Sequence, residues 1–122
     1  MAPSPLVLHG IASCDTVKRA RARLDELGLA HRYHDFRRDG LSEAMLDRWI
    51  AAVGVQPLVN RKGTTWRRLD GAARASADEP AAARALLLAQ PSLVKRPVVE
   101  WPGGEVSVGL DAMQAVAARR GS

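Results

Sequence analysis

Apolar and polar positions along the chain change period several times, and each change marks an element. Pro5-Leu6-Val7-Leu8-His9 is a short apolar run ended by Gly10, which predicts a buried strand. From Asp15 the period lengthens. Val17, Ala20, Leu24 and Leu27 fall at i, i+3, i+7 and i+10, one face of a helix, while Lys18, Arg19, Arg21 and Arg23 take the solvated side. Gly28 predicts the helix end. His31 to Phe36 then reads as a second strand, so the first 36 residues predict a βαβ unit with parallel strands.

Asp39-Gly40 marks a turn and Ser42 a helix N-cap. Leu46, Trp49, Ile50 and Val53 form the apolar face of a second helix, closed by Gly54. Residues 56–75 are less regular, with a polar loop from Asn60 to Trp66 and a short helix after it. Asp78-Glu79-Pro80 starts another helix, which runs to about Gln90 and is stopped by Pro91. Val98–Trp101 and Glu105–Val108 flank Pro102-Gly103-Gly104, the pattern of an antiparallel hairpin. A last helix is expected from about Asp111 to Arg119. The fold class is therefore α/β: a mixed four-stranded sheet, with a helical insertion at about 41–92 between a βαβ half and a ββα half. The chain reads as one domain, 1–122.

Composition narrows the function classes. A chain of 122 residues has room for a core without disulfide or metal staples. No apolar run nears the ~20 residues of a membrane span. Met1–Leu8 has no basic segment ahead of its short apolar stretch, so it does not read as a signal peptide. Eighteen basic against thirteen acidic residues give +5, which favours anionic small molecules. The charge is spread along the chain, so nucleic acid is not the expected partner. No metal is expected, because three His and one Cys lack paired ligand spacings. A single cysteine excludes an internal disulfide and fits a reducing, cytoplasmic setting.

That cysteine, Cys14, lies between the first strand and the first helix. The unpaired N–H groups and positive dipole end of a helix start favour a thiolate there, and Lys18 adds a cation one turn on. Free cysteine in such a place is equally often an inert small residue. Lys95-Arg96-Pro97-Val98 is a second candidate. Pro97 could present a backbone edge through a cis bond. Arg96 could hold an oxyanion or carboxylate with both arms, or be a solvated arginine. Asn60-Arg61-Lys62-Gly63 is a candidate anion-receiving loop, although a plain basic surface loop has the same composition. His9, His31 and His34 show no catalytic spacing, and His9 precedes the cysteine loop.

Taken in order, these segments resemble the arsenate reductase (ArsC)/Spx family, most closely its YffB-like branch. The resemblance rests on Leu8-His9-Gly10-Ile11, Cys14 to Arg21, Asp35-Phe36-Arg37, Leu58 to Arg67, Lys95-Arg96-Pro97-Val98 and Val108-Gly109-Leu110. It implies a thioredoxin-like fold, Cys14 as catalytic thiol, Pro97 as a cis-proline facing it, and Arg61 and Arg96 as anion-holding arginines. It also implies glutathione as co-substrate, with glutaredoxin as a further partner. Two positions depart from the arsenate enzymes: their third arginine falls at Gly109, and their assisting histidine at Gly10. Spx relatives commonly carry Cys-x-x-Cys, whereas here the second position is Val17. The expectation is a glutathione-dependent thiol oxidoreductase in which Arg61, Arg96, Pro97 and Lys18 receive the substrate. The alternatives are an arsenate reductase, and a non-catalytic, Spx-like module that binds RNA polymerase.

Overall fold

The computed structural model describes residues 6–120. Pro5, expected to open the first strand, lies outside them. Within that range the chain forms two compact units. One combines the residues up to Asp39 with those from Arg96 onward; the other is Gly40–Lys95.

The first unit is built on β1 (Val7–Gly10), α1 (Asp15–Glu26), β2 (Arg32–Asp35), β3 (Val98–Glu100), β4 (Val106–Val108) and α6 (Leu110–Arg120). The four strands make one sheet in the order β2-β1-β3-β4. β1 pairs with β2 in parallel, as the βαβ reading requires, and both β1–β3 and β3–β4 are antiparallel. This is the thioredoxin-like arrangement expected from the sequence. Leu8 and Val99 are register partners, so they share a face. Together with Val17, Ala20 and Leu24 of α1 and Met113, Val116 and Ala117 of α6 they make the apolar core. His9 and Glu100 point to the opposite face by alternation. Trp101 is 2% exposed and donates its indole N–H to the Ser107 hydroxyl at 2.9 Å, which satisfies a polar group that burial would otherwise penalise.

The local signals explain most boundaries. Gly28 sits past the end of α1 at φ +69°, and its N–H bonds the Asp25 carbonyl at 3.0 Å. Several boundaries differ from the expectation: Leu6, His31, Trp101 and Glu105 lie just outside the strands they were expected to join, and two further differences bear on the site. Gly10 is the last residue of β1 rather than a terminator. Phe36 leaves β2, because the Asp35 carboxylate accepts the N–H groups of Arg37 and Arg38 and bends the chain into a turn.

The second unit holds α2 (Glu43–Val53), α3 (Thr64–Arg68), α4 (Gly71–Ser76) and α5 (Pro80–Ala89). Ser42 caps α2, accepting from the Met45 N–H at 3.1 Å. Pro80 is the first residue of α5, and Pro91 both ends that helix and opens a 3-10 turn over Pro91–Leu93. The stretch expected to be irregular contains two short helices, and α3 takes in Thr64, Thr65 and Trp66, which the sequence assigned to a loop.

Candidate active site

Cys14 is the N-cap of α1, with extended backbone at φ −83° and ψ 120°. Gly10 ends β1 and Asp15 opens α1, so four residues, Ile11 to Cys14, make the turn between them. The Cys14 N–H bonds the Ile11 carbonyl at 3.0 Å, and the Cys14 carbonyl accepts from the Lys18 N–H at 3.1 Å. The thiol is therefore fixed at the helix start and is partly exposed.

Its acidity is set by opposing effects. Burial pushes the Cys14 thiol up. Hydrogen bonding from the Val17 N–H, the Arg96 guanidinium and the Thr16 N–H, with the positive charge of Arg96, more than offsets this and holds the thiol below its ordinary value. Val17 and Thr16 occupy the third and second positions of α1. Their N–H groups belong to the first turn, whose donors have no partner within the helix. A side chain from the start of β3 and the dipole end of α1 thus converge on one sulfur.

Arg96 is the residue before Pro97, and the bond between them is cis. Cys14 and Arg96 come together in the first unit, and Pro97 follows Arg96 in the chain. Lys18 is exposed on α1 one turn from Cys14. Arg61 belongs to the second unit. There its guanidinium hydrogen-bonds Gln56, pairs with Asp78 at 3.5 Å and lies 4.9 Å from the centroid of the Trp66 ring. In the Asn60–Gly63 loop the Asn60 side-chain oxygen accepts the Lys62 N–H at 3.1 Å.

The two departures from the arsenate pattern have structural reasons. Gly109 has φ +92°, its N–H donates to the Pro97 carbonyl at 2.8 Å, and its own carbonyl accepts from Met113 in the first turn of α6. A side chain at 109 would strain that backbone. At Gly10 a Cβ would stand 2.6 Å from Val17 Cγ2, so the position beside the cysteine loop is already filled by Val17.

Three residues near the site were given no site role from the sequence, although Asp35 belongs to the resemblance and His34 was weighed for spacing. Tyr33 of β2 lies under the Arg21 guanidinium, 4.3 Å from the ring centroid, and is within electrostatic reach of Cys14. Asp35 is buried and accepts the Ala12 N–H at 3.2 Å. His34 contacts His9, their Nδ1 atoms 3.0 Å apart, and His9 Nε2 is 2.7 Å from the Glu100 carboxylate. His9 and His34 are register partners on parallel strands, a pairing that only the fold reveals. Among the described residues no three His, Cys, Asp or Glu side chains gather as metal ligands. No described helix is long and apolar enough to cross a membrane.

A thiol at the strand-to-helix turn of a thioredoxin-like sheet, opposite a strand led by an arginine and a cis-proline, defines an arsenate-reductase-like architecture. Residues 9–117 match the ArsC family, and the chain belongs to it. It is 46% identical to the YffB (PA3664) protein, whose structure superposes with a TM-score of 0.82 over 93% of this chain and 96% of that one. An arsenate reductase (ArsC) related protein from Brucella melitensis is 40% identical, with a TM-score of 0.75 over 98% of both chains. An uncharacterised protein of Haemophilus influenzae is 35% identical over 113 residues, 93% of this chain and 97% of that protein. The arsenate reductase from Vibrio cholerae, at 20% identity and a TM-score of 0.70, shares the fold.

Proposed function

We propose that the protein is a glutathione-dependent thiol oxidoreductase that works through Cys14 alone. The observation that carries this reading is the convergence of Arg96 and the first N–H groups of α1 on the Cys14 sulfur. A thiolate held in this way is both a nucleophile at neutral pH and a good leaving group.

The cycle follows from the single cysteine. The Cys14 thiolate attacks one sulfur of a disulfide R–S–S–R′, forms Cys14–S–S–R, and releases R′S⁻, which takes up a proton. With no second cysteine in the chain, an external thiol resolves the adduct. Glutathione thiolate attacks the R sulfur, forms R–S–S–G, and returns Cys14 as thiolate. The net step is an exchange, R–S–S–R′ + GS⁻ → R–S–S–G + R′S⁻: the disulfide passes to glutathione, R′ leaves as thiolate, and the protein is unchanged. Arg96 steadies the Cys14 thiolate before attack and after release. In this reading Pro97 presents backbone to the incoming peptide, and Lys18 receives a glutathione carboxylate. Glutaredoxin is the natural downstream partner for R–S–S–G, and a glutathione-rich cytoplasm the natural setting.

Intact mass after exposure to oxidised glutathione tests the reading. One glutathionyl adduct is expected, absent in Cys14→Ser and removed by reduced glutathione. The thiolate absorbance should titrate below the ordinary thiol value of about 8.5. A midpoint at that value together with no adduct overturns the reading. Turnover of arsenate, lost in Cys14→Ser, would favour the arsenate reductase alternative. Full function in a Cys14→Ala strain would favour a binding module.

A further inference from the structure

Asp35 spends its carboxylate in an unusual way. It is 6% exposed at the end of β2, and its oxygens are turned to backbone N–H groups. Oδ1 accepts from Arg37 and Arg38 at 3.0 and 3.1 Å. Oδ2 accepts from Ala12 at 3.2 Å. One oxygen therefore serves the turn after β2, and the other serves the turn that carries Cys14. These bonds hold the carboxyl below the usual carboxylate range against the opposing effect of burial.

We infer that Asp35 is a positioning residue for the thiol: by holding the Ala12 N–H it fixes the Ile11–Cys14 turn and so sets where the Cys14 sulfur stands against Arg96 and the first turn of α1. The inference rests on the reading of Cys14 as a working thiolate. Ala12 is exposed, so its own side chain contributes no packing to hold the turn. The remaining bonds of this segment are at its ends. Gly10 accepts from the Phe36 N–H at 3.1 Å, and Cys14 donates to Ile11. The Asp35 bond to Ala12 holds the middle.

The effect is geometric rather than electrostatic. A negative charge near the sulfur would oppose a thiolate, and the groups that lower the Cys14 thiol are Val17, Arg96 and Thr16. The charged and titratable neighbours of this corner are Arg21 on α1, Tyr33 on β2 and Arg38 in the turn beyond it. A carboxylate is required because both of its ends accept. An asparagine has one oxygen and one NH₂, so whichever way it turns, a donor faces a donor.

Asp35→Asn is the test, read by the pH dependence of Cys14 alkylation with iodoacetamide. In the unaltered protein the rate should rise with a midpoint below the ordinary thiol value. In a folded Asp35→Asn variant, checked by far-UV circular dichroism, the midpoint should move up by about one pH unit, giving roughly tenfold slower alkylation well below it and an unchanged rate at alkaline pH. A folded variant that keeps the native midpoint overturns the inference. A second measurement uses the unaltered chain: the Ala12 amide should exchange slowly with solvent although its residue is exposed. Exchange at the rate of a free peptide overturns the inference even if Asp35→Asn does not fold. A native midpoint at the ordinary thiol value with no glutathionyl adduct would instead overturn the proposed function, while a protected Ala12 amide would still support the clamp.

Discussion

Gly10→Ala places one methyl group where the structure has no room for it. The new Cβ would lie 2.6 Å from Val17 Cγ2, 2.9 Å from Cγ1 and 3.3 Å from Cβ. Carbon atoms in contact settle at about 3.5–4.0 Å, so β1 and α1 must separate locally by roughly 1 Å. Val17 cannot turn aside cheaply. It is 1% exposed in the core with Ala20 and Leu24, and a β-branched side chain in a helix has one strongly preferred rotamer. Overpacking of this kind costs about 1–3 kcal/mol. Urea unfolding followed by tryptophan fluorescence should show that loss. Val17→Ala removes both colliding methyls, and alone costs about 2 kcal/mol in lost burial and residual cavity. In that background the added Gly10→Ala should cost under about 1 kcal/mol, so the double variant is more stable than the sum of the two singles. A Gly10→Ala protein within about 0.5 kcal/mol of the native one, or an equal cost in both backgrounds, would refute the argument. The outcome bears on function, because any side chain at this position must first displace Val17 from the helix that presents Cys14.

Three further outcomes are expected. Arg96→Gln removes a hydrogen bond and a positive charge from the sulfur, so the thiolate absorbance should titrate at higher pH; an unmoved midpoint would contradict the geometry. Because Cys14 is held below its ordinary value in the folded state, the unfolded chain holds more protons between the folded midpoint and the ordinary thiol value of about 8.5, and stability should rise with pH across that window and lose this contribution as pH falls through the folded midpoint, with a Cys14→Ser variant showing a flatter profile in urea titrations. Ser107→Ala leaves the buried Trp101 indole N–H without its hydroxyl partner and should cost about 1–3 kcal/mol in thermal unfolding.

The elements legible in the sequence were those with local causes. The 3.6 period of Val17, Ala20 and Leu24, the Ser42 cap and the Pro102-Gly103-Gly104 turn each act within a few residues. The helix beginning at Thr64 escaped because it is only five residues long, with Trp66 its one apolar side chain and no apolar stripe to announce it. The site divides the same way. Cys14 was visible through its place before a helix, and Arg96-Pro97 through its place before a strand. Asp35 and His34 act through partners 23 and 25 residues away, and β1–β2 register decides which side chains meet. One sequence does not fix that register.

The chain of contacts from His34 through His9 to Glu100 constrains how protons can be distributed across the sheet. With Glu100 ionised, His9 donates from Nε2, and its Nδ1 is then an acceptor that requires a proton on Nδ1 of His34. To protonate His9 fully, His34 must give up its Nδ1 proton and carry one on Nε2 instead. A gain of charge on the middle strand therefore rewrites the tautomer of its neighbour, and the three strands β2, β1 and β3 share a single proton ledger.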